Sequence, residues 1–263
     1  MKNYFLFALF TLLCACAKPS AVDMTPEKQN EMGEYLRKYL ASADVPPAPF
    51  RVRMSLRFGV AEDTRRVTAL FWGNSEDRLR LDVMAGIGVT AAKIVEDGRH
   101  FLVYSPNENK AWFFQGAEKP LLQVGVPIPF HLGHLANLLN GRYALVFGKE
   151  CDRGKFLQDG LLRCELAGRP GGRLTINADG LPRLWHENRK GGGWEMRIVY
   201  NEGGHGLPQS LILTAEDGKR AVVLVKEREN PAMPFTDGQL RLTLPEDTPF
   251  LPLAKYKSAI RKD

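Results

Sequence analysis

From position 50 onward, apolar and polar residues alternate with a period of two. Met54, Leu56, Phe58 and Val60 stand against Ser55, Arg57 and Gly59, as a strand with one wet face requires. Leu79, Leu81 and Val83 oppose Arg78, Arg80 and Asp82. The alternation returns at Leu174 and Ile176, at Val223 and Val225, and at Leu240, Leu242 and Leu244. Turn signals separate these runs: Glu96-Asp97-Gly98, Ser105-Pro106-Asn107, Ala178-Asp179-Gly180 and Glu216-Asp217-Gly218. The spacing predicts about eleven strands in an antiparallel meander.

Two stretches change to a helical period. Thr25-Pro26-Glu27 supplies an N-cap, a first-turn proline and a first-turn acid, after which Met32, Leu36, Tyr39 and Leu40 make one apolar stripe; Pro46-Pro47-Ala48-Pro49 ends it. Between positions 131 and 140, Leu132, Leu135, Leu138 and Leu139 share a face that Gly141 closes. The predicted fold is therefore mainly β with two or three helices: a curved antiparallel sheet forming an incomplete half-barrel with a helical lid. Leu79, Leu81, Val83, Trp112 and Phe114 line its apolar interior. On periodicity alone they fill a dry core, as the interiors of small barrels usually are filled.

The first residues are of another kind. Lys2 precedes an apolar run over positions 4–13 and then Leu13-Cys14-Ala15-Cys16, the layout of an export signal. The run is shorter than the roughly 20 residues that span a bilayer. Its end resembles the lipobox of bacterial lipoproteins, in which a small residue precedes a cysteine that is acylated and becomes the mature N-terminus. Cys16 fits, whereas Leu13 is too bulky to precede the modified residue. The expected organisation is a signal peptide over 1–15, a lipidated tether and amphipathic helix over 16–49, a half-barrel domain over 50–250 and a tail over 251–263. An exported chain meets an oxidising compartment, so the two remaining cysteines, Cys151 and Cys164, are expected to pair, contributing roughly 3 kcal/mol in the chain-entropy model.

Charge and motifs then narrow the chemistry. The formal charge of +6 is spread among interspersed acids with no basic stripe, which argues against nucleic acid. Gly86-Ile87-Gly88-Val89-Thr90-Ala91 matches a dinucleotide fingerprint, but antiparallel flanks and export remove the parallel context that motif needs. As a hairpin tip it presents Ile87 between two glycines. His131 and His134 share a helical face, yet no HExxH and no nearby acidic partner completes a metal site, so a capping or surface role fits them better. Gly191-Gly192-Gly193 and Gly203-Gly204 read as hairpin turns. No G-x-S-x-G elbow is present. The chain is expected to be a non-enzymatic monomer without cofactor or metal.

Three stretches resemble LolB, the family of outer-membrane lipoprotein receptors. FWGNSEDRLRLDVMAGIG over 71–88 is similar to that family's W-x(n)-Y-R-L-x-L-x-x-P-L-G, with Gly86 where the proline stands. GVPIPFHLGHLANLLNG over 125–141 looks like its G-x-P-I-P followed by L-x-x-W-L-x-G, with Asn137 or Leu138 where the tryptophan stands. Leu207-Pro208-Gln209-Ser210-Leu211 resembles a late L-P-x-x-L strand entry, and positions 239–245 look like the last strand of LolA-type carriers. The resemblance implies a half-open barrel whose cavity takes the acyl chains of lipoprotein cargo from a LolA-type periplasmic carrier and releases them into the outer membrane. Ile87, flanked by Gly86 and Gly88, matches the apolar residue of the membrane-insertion loop. Ala17, in place of the aspartate that retains lipoproteins at the inner membrane, implies anchoring at the periplasmic face of the outer membrane. The alternative is an envelope lipoprotein of the same fold that binds another amphiphile or serves as a structural or assembly partner.

Overall fold

A computed structural model describes residues 25–60, 62–76, 78–86, 88–98, 100–115, 119–167, 170–188, 193–203 and 206–252; Ile87 and the first 24 residues, Cys16 among them, lie outside this set. Thr25 caps helix α1 (Pro26–Ala41), its side-chain oxygen accepting the Lys28 backbone N–H at 3.3 Å, with Pro26 in the first turn. A 3-10 turn (Ser42–Asp44) and the prolines after it release the chain into an extended path.

Six strands follow in hairpin succession: β1 (Phe50–Val60), β2 (Asp63–Gly73), β3 (Leu79–Ala85), β4 (Val89–Glu96), β5 (His100–Ser105) and β6 (Lys110–Gln115). The helical segment α2 (Pro120–Gln123), α3 (Leu132–Leu139) and α4 (Tyr143–Phe147) comes next. A second meander then runs through β7 (Cys151–Phe156), β8 (Leu162–Leu166), β9 (Gly172–Ile176), β10 (Pro182–His186), β11 (Trp194–Tyr200), β12 (Pro208–Ala215) and β13 (Arg220–Glu229). Beyond it lie α5 (Asp237–Leu240) and β14 (Phe250–Pro252). The two meanders join where β1 pairs with β13, giving one fourteen-stranded sheet in the order β14-β6-β5-β4-β3-β2-β1-β13-β12-β11-β10-β9-β8-β7. All pairings are antiparallel except β14 on β6, and β14 and β7 remain as the two edges, so the sheet curves without closing. Helices α2 to α4 sit between the two meanders in sequence and against the concave face in space.

The strand count exceeds the eleven expected from periodicity. Strands β7 to β10 are only five or six residues long, and the first reads Cys-Asp-Arg-Gly-Lys-Phe, with three charges and no alternation to mark it. A disulfide joins Cys151 to Cys164 across the β7–β8 edge, with Cα atoms 5.3 Å apart. The strand expected through Leu240, Leu242 and Leu244 does not form. Thr236 and Gln239 make a capping box that starts α5 instead, and Arg80 donates to the carbonyls of Gln239 and Arg241 at 3.3 and 2.9 Å, taking acceptors a neighbouring strand would have used. Residues 231–249 thus cross the convex face as a strap, where Phe235 and Leu240 bury against Trp72, and β14 carries the sheet to 252, past the expected boundary at 250. Among the described residues no helix is long and apolar enough to cross a membrane.

The far half of the sheet is solidly filled. Trp185 is fully buried, packs against Phe130 and Phe147 at ring distances of 5.4 and 5.9 Å, and donates its indole N–H to the Gly171 carbonyl at 2.9 Å. Helix α1 closes this half: Tyr35 and Tyr39 bury their rings and donate their hydroxyls to the Gly160 and Gly148 carbonyls at 3.1 and 2.8 Å. Lys38 reaches the Ala178 carbonyl at 2.8 Å. The Ala178-Asp179-Gly180 turn therefore touches α1 directly. Gly180 has φ +75°, and a Cβ there would lie 2.4 Å from the Tyr39 backbone nitrogen. Gly180→Ala is expected to lower unfolding stability by about 1–3 kcal/mol in urea titration. Gly218→Ala, with φ +82° but nothing near the added carbon, carries only the backbone cost and should lose less.

Candidate functional site

The near half of the sheet is not filled. Alternate residues of β1 point inward, so Met54, Leu56 and Phe58 form one wall, continued by Leu81 and Val83 of β3, Ile94 of β4 and Val103 of β5. Leu121 of α2, Val124, Val126 and Ile128 of the following loop, and Leu135 of α3 form the opposite wall. Between them lies a cavity of about 480 Å³, within the roughly 300–1,000 Å³ typical of small-molecule sites. Of its polar residues, Arg65 near the start of β2, Ser105 at the end of β5, and Asn107 and Glu108 in the turn at 106–109 make the rim, while Arg66 turns its side chain to Ser55.

Of the residues expected inside, Leu81 and Val83 line the cavity. Leu79, Trp112 and Phe114 do not. Leu79 lies at the opposite end of β3 and borders a separate cleft of about 380 Å³ with Arg78, Leu240 and Arg241, beneath the C-terminal strap. Trp112 is buried and Phe114 half-buried in the core on β6, one strand beyond the cavity wall. The lid residues Leu121, Val124, Val126 and Ile128 escaped the sequence reading because they follow neither period. Apolarity between prolines marked Leu121 and Val124, and the G-x-P-I-P stretch holds Val126 and Ile128.

The opposite wall is held in place by charge. Every residue of α3 except His134 is buried, so the free backbone groups at its ends need partners within the protein. Glu96, at the end of β4 and itself buried, accepts the Leu132 backbone N–H at 2.9 Å and that of Gly133 at 3.2 Å. At the other end, Arg228 of β13 donates to the Leu139 carbonyl at 2.6 Å and to the carbonyl of Pro208. Desolvation pushes the Arg228 guanidinium below its usual pKa. An acid at the N-terminus and a base at the C-terminus also complement the helix dipole, worth up to about 2 kcal/mol each in partly buried geometry.

His131 is the N-cap. Its Nδ1 lies 3.3 Å from the His134 backbone N–H and 3.1 Å from Glu96 Oε1, so an unprotonated Nδ1 accepts from the former and a protonated one donates to the latter. The His134 ring stacks on it at 3.8 Å. Burial first, then the neighbouring His131 charge, pushes the His134 imidazole down to about 4.

Beside the rim stands the β3–β4 hairpin. The β2–β3 ladder stops at Thr68 opposite Met84, and the β4–β5 ladder begins at Lys93 opposite Tyr104, so Ala85 and the first residues of β4, up to Ala92, pair only within their own hairpin. Gly86 and Gly88 take φ values of +61° and +80°, the left-handed conformation that admits glycine freely. Val89 is 51 % exposed, while Ala85 and Ala91 reach the cavity wall. A free-standing tip thus adjoins the mouth of an apolar cavity.

No protein-family profile matches the chain. No curated protein matches it significantly either. Among solved structures it is similar to a LolA-superfamily protein from Nitrosomonas europaea, with a TM-score of 0.53 and 13% identity over 79% of this chain and 97% of that one. It is also similar to a DUF1329-family protein from Desulfovibrio piger, with a TM-score of 0.49 and 11% identity over 80% and 98% of the two chains. The fold is LolA-like: a curved, open sheet wrapped on helices.

Glu96→Leu leaves two buried N–H groups without an acceptor and is expected to cost about 2–3 kcal/mol in urea unfolding, with Glu96→Gln costing less. Because His134 must remain neutral in the fold, stability should be full above its unfolded pKa near 6.5 and fall as pH drops toward 4. His134→Phe should flatten the unfolding midpoint over that window.

Proposed function

We propose that this protein is a lipid-anchored acceptor for lipoproteins at the periplasmic face of the outer membrane. Acylated Cys16 provides the anchor, since two or more chains on one residue hold a protein stably at a bilayer. The cavity receives an acyl chain of the cargo from a LolA-type periplasmic carrier, and the 86–88 tip helps deliver that cargo into the membrane. No bond is made or broken. Transfer runs on graded hydrophobic contact, each buried methylene being worth about 0.8 kcal/mol, so modest differences in lining between donor, acceptor and bilayer set its direction.

The observation that carries this reading is the shared location of cavity mouth and hairpin tip: Ala85 and Ala91 belong to both. A dry core would need no opening, and a tip facing away from the mouth would serve no transfer. The LolA-like fold supports the same reading. The route from cavity to membrane would then be a few residues long.

Ile87→Glu should slow delivery of a lipoprotein into liposomes by about tenfold or more, because a charge inserts poorly among acyl chains. Capture of cargo from the carrier should be unchanged. Transfer equal to that of the wild type would remove the tip from the mechanism.

A further inference from the structure

The cavity's size and its rim say more about the ligand than that it is greasy. A cavity of about 150 Å³ accommodates benzene, or about 25 Å³ per carbon, so 480 Å³ accommodates about nineteen carbons. That is one long acyl chain, not two or three. The interior of the far half is occupied by Trp185, Phe130, Phe147 and their neighbours.

Among the described residues of the lining, Arg65 is the cation whose side chain faces the opening. Arg65 lies opposite Phe58 in the β1–β2 ladder, and cross-strand partners share a face, so its side chain projects to the concave side at the rim. Arg66 alternates to the convex side, where it donates to Ser55 Oγ at 3.1 Å. The contact of Arg65 with Asp63 is 4.0 Å long and partly solvated, which costs little to exchange for a bidentate one. The rim's acid, Glu108, faces Lys110 at 3.4 Å.

Resting on the reading of the cavity as an acyl-chain site, we infer that it binds one chain at a time, with the acceptor oxygens of the chain's polar head held by Arg65. A cargo carrying several chains then buries one in the cavity and leaves the others at the mouth, beside the apolar 85–92 hairpin. The hairpin becomes a shelter for the outer chains as well as an insertion device.

The test uses the full chain with two single-chain probes, palmitate and hexadecanol, held below their aggregation limits, followed by native mass spectrometry and displacement of a fluorescent fatty acid. One palmitate per protein is expected. Affinity across a series of fatty acids should rise about fourfold per added carbon and level off near nineteen carbons. Arg65→Gln should weaken palmitate by about tenfold while leaving hexadecanol unchanged, and Arg65→Lys should recover part of the loss. Two or more palmitates per chain, or equal weakening of both probes by Arg65→Gln, overturns the inference and leaves the receptor reading standing. If neither probe binds, both fall. If palmitate binds as described but lipoprotein transfer fails, only the receptor reading falls.

Discussion

The arrangement depends on burying a helix whose ends are still polar. Helix α3 lies against the concave face with seven of its residues buried, and a helix in that position exposes unpaired N–H groups at one end and unpaired carbonyls at the other to an interior that cannot hydrate them. Glu96 and Arg228 answer this from opposite meanders, the one on β4 and the other on β13. The two charges do more than cap. They fix where α3 stops, and so how far Leu135 and the loop before it stand from β1, β3 and β4. That separation is the cavity.

The two halves of the sheet consequently play different parts. On the β7–β12 side, Trp185, Phe147 and the tyrosines of α1 fill the space, and the Cys151–Cys164 bridge staples the outermost edge. On the β1–β5 side the residues are mostly aliphatic and of middling size, and the opposite wall is the loop between α2 and α3 with one leucine from each helix, not a continuous amphipathic face. The rigid half supports the open one. Close packing next door resists collapse of the open wall.

Much of the scaffold was legible in the chain. Thr25-Pro26-Glu27 marked the start of α1, the even positions of β1 marked the face it buries, and Pro127 to Gly141 bracketed α3, because capping chemistry and strict periodicity are local. Legibility failed where structure depends on distant partners. Strand β7, Cys-Asp-Arg-Gly-Lys-Phe, carries no alternation and exists because β8 pairs with it. Leu240, Leu242 and Leu244 alternate well and still make no strand, because Arg80 occupies their carbonyls and a capping box intervenes. Leu79 and Trp112 are as apolar as Leu81 and Val83, and only height along β3 for the one and a strand's displacement to β6 for the other separate core from cavity.

By itself the sequence determined the β meander, the two principal helices and the glycine-flanked turn between β3 and β4, since each is written in residues close together in the chain. The tertiary structure decided that the interior is half solid and half hollow, that Glu96 and Arg228 are the clamps, and that the tip stands at the cavity's mouth. The physical reason is that volume and charge compensation are properties of groups brought together across long sequence separations, such as the 36 residues between Glu96 and Leu132 and the 89 between Leu139 and Arg228. No local pattern records them.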